Sequence, residues 1–276
     1  MLCLLCRYRK MPKSLQEWET LCGQCKNLVP EEIEELFWIQ EGSWDHAVIA
    51  PVHARISRYN SQQRYQFALS QTTFSSQDRV LEIGCHYGVG YPFFKIRGVE
   101  YVGIDIREDY IVRARKLYPE ALFLPLDATS LPFPDEFFTK VVFFDVLEHV
   151  PLDKVSALFH EVIRVLRCFG ECLFTTPKGE PTLVKSLLGQ KVANSHIKEY
   201  QKEELVALCC QFPLRIEKIL DMITPVFPAG KLGYAITLLV AEWPPLYYWV
   251  GRFCAVVGYS DTFYLCRKLK LTRDAS

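Results

Sequence analysis

The residues best placed to do chemistry are a glycine-rich turn and an acid that follows it. The turn reads Glu82-Ile83-Gly84-Cys85-His86-Tyr87-Gly88-Val89-Gly90, and the acid is Asp105, closing the apolar run Tyr101-Val102-Gly103-Ile104. Glycines where a strand gives way to a helix let a ligand come close to bare backbone, with helix N–H groups facing it. A carboxylate at the tip of the next strand can accept hydrogen bonds from both hydroxyls of a ribose. Taken alone, the glycines could serve only a sharp turn and Asp105 only a helix cap; strand, glycine turn, helix, strand and acid in one unit predict a nucleoside site. A dinucleotide would favour bare backbone at the second glycine position, and His86 stands there. A nucleoside ligand without a pyrophosphate is easier to seat.

The elements that must hold these residues are legible in the hydrophobic pattern. Short apolar runs alternate with helical periodicity from Asp78 onward, as in βαβ units with a parallel sheet. Strands are predicted at 79–84, 101–105, 121–126, 140–145, 170–176, 214–220 and 262–266, and helices over 109–117, 153–167 and 202–211. The expected fold class is α/β, a Rossmann-like, seven-stranded, mostly parallel sheet with helices on both faces. Residues 1–76 read as a helical N-terminal extension, with stretches opening at Ser14 and Pro30 and a third over 53–71. Residues 77–276 form the main domain, interrupted at about 224–258 by an insertion rich in Pro, Gly and aromatics.

At this point the chain resembles the class I S-adenosylmethionine-dependent methyltransferases, in particular the broad small-molecule group with a Val-Leu-Glu-His-Val segment. The resemblance covers residues 79–177, the cofactor half of that family, with a later landmark before the helix at 202–211. It rests on Glu82, Gly84 and Gly88 in the pattern E-x-G-x-G-x-G, on Asp127-Ala128, and on Phe133-Pro134-Asp135-Glu136-Phe137-Phe138. Further along it rests on Asp145-Val146-Leu147-Glu148-His149-Val150, Glu161-Val162-Ile163-Arg164-Val165-Leu166, Thr175-Thr176-Pro177 and His196-Ile197-Lys198-Glu199-Tyr200. His86, Thr139 and Cys168-Phe169 depart from it, standing where Gly, Asp and Pro-Gly are usual.

The resemblance implies S-adenosyl-L-methionine as cofactor. Its methionine part would lie along Gly84, Cys85, His86 and Gly88, its ribose on Asp105 beside Ile106, and its adenine on Asp127 and Ala128, with Glu82 and Asp145 also expected to contact the cofactor. It also implies in-line transfer of a methyl group to a small-molecule acceptor, expected to be an oxygen nucleophile and partly apolar or aromatic. His149 and His196 are the candidate catalytic bases, since imidazole titrates near neutrality. Each has a plain structural alternative, helix-start packing for His149 and a satisfied loop histidine for His196. Asp145, Glu148, His149 and His196 also share the spacing of the divalent-metal sites of ubiquinone-pathway O-methyltransferases and small-RNA 2′-O-methyltransferases; Leu-Glu-His also occurs in relatives without metal.

Composition limits the rest. The chain has 276 residues, 32 Lys+Arg against 32 Asp+Glu, and is 50% hydrophobic. Neutral charge without a basic stripe argues against nucleic acid as partner. Eleven cysteines, an odd number scattered through apolar runs, suit free thiols in a reducing, cytoplasmic setting. Cys3, Cys6, Cys22 and Cys25 have zinc-ribbon-like spacing, but apolar Leu4-Leu5 and the missing glycine speak against zinc. No apolar run reaches the roughly 20 residues of a membrane span. The aromatic residues of 224–258 suit extra core, a cover over the acceptor, or peripheral contact with lipid. Three rivals stand beside the small-molecule methyltransferase reading: an NAD-dependent oxidoreductase on a similar sheet, which His86 opposes, a catalytically silent protein that binds an adenosyl cofactor, and an RNA methyltransferase, against which the missing basic stripe speaks.

Overall fold

The computed structural model describes residues 64–177, 196–223 and 260–270. The helices expected from Ser14 and Pro30, the four spaced cysteines and the aromatic insertion at 224–258 lie outside the described residues. Those described fall in one compact unit, Gln62–Val226 with Gly251–Ser276. Among them the elements are α1 (64–70), β1 (Arg79–Ile83), α2 (Tyr91–Lys95), β2 (Glu100–Asp105), α3 (Glu108–Leu117), β3 (Leu122–Pro125) and β4 (Phe138–Phe144). After a 3-10 turn at Leu147–His149 come α4 (Val155–Val165), β5 (Leu166–Pro177), α5 (Lys202–Cys209), β6 (Leu214–Ile223) and β7 (Ser260–Lys268).

The strands form one seven-stranded sheet in the order β3-β2-β1-β4-β5-β7-β6, parallel except for β7, which runs antiparallel to both neighbours. The central strand β4 is buried at all seven positions, as a strand covered on both faces must be. Successive residues split between two cores. Val141 and Phe143 join the cluster beneath α4 and α5, while Val142 and Phe144 join the one beneath α1, α2 and α3. Helix α4 supplies Val155, Leu158, Phe159, Val162 and Ile163 to the first, the 3- and 4-residue steps of one helix face. Phe143, Phe174 and Tyr264 sit in register on β4, β5 and β7, and their rings stack at 4.9 and 4.7 Å. Each such pair adds about 0.5–1.5 kcal/mol beyond area burial and braces the strands that carry the site.

Two elements depart from expectation. Strand β5 starts at Leu166, directly off α4, where the sequence pattern predicts it from Gly170. The reason is a bulge: Phe138 pairs with Leu166 but Lys140 with Glu171. Phe169 occupies the left-handed region there, at φ 63, and projects to solvent. The helix after the glycine turn is one short stretch, Tyr91–Lys95, ended by Arg97-Gly98 with Gly98 at φ 69. It is too short to offer a helix-dipole site, so the turn itself must provide the cradle.

Candidate functional site

Strand order reverses between β1 and β4: β1 continues outward to β2 and β3, β4 to β5. In parallel α/β sheets the crevice at the carboxyl ends of strands flanking such a reversal is where ligands bind. The glycine turn leaves β1 at this place. Gly84, His86 and Gly88 all hold left-handed backbone, at φ 70, 52 and 75. Cys85 N–H still bonds Ile104 O on β2 at 2.9 Å, and Gly88 N–H closes the turn on Cys85 O at 2.8 Å. A Cβ on Gly84 would overlap the Cγ2 methyl of Val146, which follows β4, and one on Gly88 would stand 2.8 Å from Phe123 Cζ. Both glycines are therefore demanded by neighbours as well as by φ.

Asp105 ties the turn to β2. Its Oδ2 accepts from His86 N–H at 2.9 Å and its Oδ1 from Arg107 N–H at 3.0 Å. Burial raises its pKa against the pull of those two bonds. Each oxygen keeps a lone pair for a further donor. Leu126 N–H bonds Asp105 O at 3.0 Å, which sets Asp127 beside it. Asp127 Oδ1 accepts from the Thr129 backbone at 2.9 Å and hydroxyl at 2.7 Å, and the backbone bond leads in lowering its pKa. Ile106 is 72% exposed, an apolar side chain next to these carboxylates, and Ala128 packs partly against the core. His86 pays the left-handed conformation that glycine would take freely; its ring packs 3.9 Å from Tyr87 and 4.0 Å from Tyr110. Burial, with Arg107 and Arg113 nearby, pushes its pKa down to about 4, so the imidazole is neutral at pH 7.

Glu82 is placed differently from the expectation that it lines the ligand. It is 1% exposed, and its two oxygens accept from the Tyr65 and Tyr101 hydroxyls. A ligand would have to displace one of these tyrosines to reach it. Burial drives its pKa up to about 7. The residue was legible as important, but its partners come from α1 and from β2, which no local pattern connects.

On the other wall, Asp145 follows β4 at φ 52. Its N–H bonds Thr175 O at 3.1 Å, and the Thr175 hydroxyl donates to its Oδ1 at 2.7 Å. Arg64 from α1 pairs with Asp145 Oδ2 at 2.5 Å and with Asp261 Oδ2 at 2.9 Å. Burial outweighs Arg64 and brings the Asp145 pKa up to about 6. Glu148 is fully enclosed; burial first and Asp145 second raise its pKa to about 9. Its Oε2 receives a long bond of 3.4 Å from Thr176, and its Oε1 is buried without a hydrogen-bond partner.

The backbone of Glu148 gathers the later histidine. Its carbonyl accepts from Ile197 N–H at 2.8 Å and Lys198 N–H at 3.2 Å. The His149 and His196 rings consequently lie 5.0 Å apart, and a ligand atom from each of Glu148, His149 and His196 falls within 4.8 Å of the others. His196 Nδ1 meets Glu199 Oε1 at 3.1 Å, which orients the ring and leaves Nε2 as its other face. Sequence reasoning missed Glu199, whose three-residue spacing from His196 was the available signal. It also missed Arg64 and Asp261, for which no local signal exists, and it named Thr175 only as part of a matching segment, without its bond to Asp145.

Residues 81–174 match the family described as "Methyltransferase domain". A 98-residue stretch is 32% identical to a "Probable S-adenosylmethionine-dependent methyltransferase" of Mycobacterium tuberculosis, covering 36% of this chain and 35% of that one. A 122-residue stretch is 33% identical to the phosphatidylethanolamine N-methyltransferase of Cereibacter sphaeroides, covering 41% and 59%. The chain thus spans about a third of the first relative's length and less than two thirds of the second's. Among solved structures, geranyl diphosphate C-methyltransferase from Streptomyces coelicolor, solved with Mg2+, geranyl diphosphate and S-adenosyl-L-homocysteine, superposes with a TM-score of 0.59. It is 14% identical, over 87% of this chain and 98% of that one. The [4+2]-cyclase SpnF superposes equally well at 17% identity, over 90% and 94%. Likeness at this level shows the fold alone.

Proposed function

We propose, for a chain whose residues 81–174 match a methyltransferase-domain family, that the protein is an S-adenosylmethionine-dependent methyltransferase that methylates a hydroxyl oxygen of a small, partly apolar acceptor. The cofactor supplies an activated methyl on a sulfonium centre that leaves as a neutral thioether. The residues present suit that group. Asp105 offers two lone pairs to ribose hydroxyls, Ile106 and Ala128 offer apolar surface to adenine, and Asp127 offers an acceptor to its amino group. Backbone of Gly84, Cys85, His86 and Gly88 would hold the methionine part, with Glu82 bracing the turn from beneath.

The observation that carries the acceptor assignment is the oriented histidine. Glu199 holds His196 at Nδ1; His149 follows the end of β4, and the Glu148 carbonyl, bonding Ile197 and Lys198, brings His196 beside it. In this reading His196 Nε2 would take the proton of the acceptor hydroxyl, and the bound cofactor would supply the methyl group as its sulfonium became a thioether. The protein's larger contribution is alignment, since a 1 Å misplacement costs about a hundredfold in such a displacement. We place the reaction in the cytoplasm on the use of Cys172, Cys209 and Cys266 as buried free thiols. Among the described residues no helix is long and apolar enough to cross a membrane.

A second reading is favoured by the Glu148, His149 and His196 grouping. One carboxylate with an orphaned oxygen and two imidazoles suit a divalent transition ion, which would hold the acceptor oxygen. Calorimetric titration with S-adenosylhomocysteine tests the cofactor site. A transfer assay with labelled S-adenosylmethionine and pooled metabolites, including ethanolamine lipids, tests the acceptor. Glu199→Gln should lower kcat about tenfold or more with KM little changed. Loss of turnover in EDTA would favour the metal, and products methylated only on nitrogen would refute the hydroxyl assignment.

A further inference from the structure

Helix α1 precedes the residues that match the methyltransferase domain, and two of its consecutive residues reach opposite walls of the crevice. Tyr65 donates its hydroxyl to Glu82, whose second oxygen takes the Tyr101 hydroxyl. The Tyr65 ring is buried, stacked on Phe93 at 5.4 Å and set edge-on to Phe144 at 5.1 Å. A Cβ on Gly90, where the turn ends, would strike both the Glu82 carboxylate and the Tyr65 ring, so the chain leaving the turn lies directly against this pair. Arg64 reaches the other wall, binding Asp145 at 2.5 Å and Asp261 at 2.9 Å. The residue after Asp145 is Val146, the side chain that meets the Gly84 position.

We propose that Tyr65 and Arg64 are positioning residues that fasten α1 to both walls of the cofactor crevice, so that docking of α1 and binding of cofactor are coupled. The inference rests on reading the turn as the cofactor cradle. Its physical basis is that Glu82 lies near the end of β1, before the glycine turn, and Asp145 is the first residue after β4. A buried carboxylate that loses a hydrogen-bonded partner must find another or drag its backbone with it. Coupling between two sites is reciprocal: whatever α1 gives to cofactor affinity, cofactor must give to the docking of α1.

The test uses the full chain and S-adenosylhomocysteine as probe. Tyr65→Phe removes one hydroxyl and keeps the stacked ring; Arg64→Met removes the charge, and Arg64→Lys restores it in another shape. Calorimetry should show affinity about five- to fiftyfold weaker for Tyr65→Phe and Arg64→Met, with Arg64→Lys between them and wild type. Hydrogen exchange should show saturating probe slowing the amides of 64–70 in wild type by a comparable factor, and less in Tyr65→Phe. Dissociation constants within about twofold of wild type in both variants would overturn the coupling, as would exchange of 64–70 indifferent to probe. Should a variant fail to fold, the wild-type exchange measurement decides by itself. A wild type that ignores the probe removes the cofactor reading and the coupling together, whereas normal wild-type binding with unmoved variants removes only the coupling.

Discussion

Replacing Gly84 by alanine isolates what the turn demands of its first residue. At φ 70 an L-residue incurs left-handed strain of about 1–2 kcal/mol. The added methyl overlaps only Val146 Cγ2, since Val146 Cβ and Cγ1 stand at ordinary contact, 3.7 and 3.8 Å away. Val146 has little freedom to recede, because its own carbonyl accepts from His149 N–H at 3.0 Å and its N–H follows the left-handed Asp145. Overlap of one methyl in packed surroundings costs about 1–3 kcal/mol. The unfolded chain loses freedom with alanine, which returns about 0.4–1 kcal/mol. The net expectation is a destabilisation of about 2–4 kcal/mol, read by equilibrium urea denaturation with an unchanged slope. Val146→Ala alone should cost about 1 kcal/mol for its partly buried methyls. The double variant should be more stable than additivity allows by about 1–3 kcal/mol, because the overlap is gone and only the strain remains. A Gly84→Ala cost below about 0.5 kcal/mol, or strict additivity with Val146→Ala, would refute the reasoning.

Three further perturbations address the remaining carboxylates and the residue that departs from glycine. Asp105→Asn keeps one acceptor oxygen but turns an amide N–H₂ toward a backbone N–H of the turn or of Arg107, so S-adenosylhomocysteine affinity should fall about tenfold or more by calorimetry; unchanged affinity would contradict the latch. Glu148 has a folded-state pKa of about 9, raised from 4.5 by burial and Asp145. The folded state therefore keeps a proton that the unfolded chain has lost above about pH 4.5, and stability declines as pH rises from there toward 9. Glu148→Gln, neutral throughout, should remove that part of the decline, so its advantage over wild type grows between pH 5 and 9; parallel pH profiles would count against the burial argument. His86→Gly releases left-handed strain but forfeits ring contacts with Tyr87 and Tyr110, and adds unfolded-state freedom. These nearly cancel, so stability should stay within about 1 kcal/mol of wild type, and a loss above about 2 kcal/mol would show that the ring does more than pack.

What the amino-acid sequence determined by itself was whatever depends on neighbours along the chain. The alternation of apolar runs and helical faces placed β1, β2, β3, β4, α3 and α4 within a few residues. The glycine turn and Asp105 were readable because left-handed backbone and a strand-end acid each leave a local signature. Asp127 was readable only through the resemblance, as the acid that follows the third strand; the Leu126 bond to Asp105 is what sets it beside the turn. The short helix α2 and the bulged start of β5 were not, because their bounds depend on packing against Phe138 and on the close of a turn at Gly98.

Tertiary structure decided what each charged side chain does. Glu82 reads as a ligand contact until Tyr65 and Tyr101 arrive from two other elements and enclose it. His149 and His196 are distant in the chain, and only the Glu148 carbonyl, bonding Ile197 and Lys198, sets their rings 5.0 Å apart. Arg64 carries no signal at all until α1 lies against Asp145 and Asp261. The division has a simple cause: conformational preference is encoded by adjacent residues, whereas desolvation and charge pairing are properties of the space into which the folded chain brings distant ones.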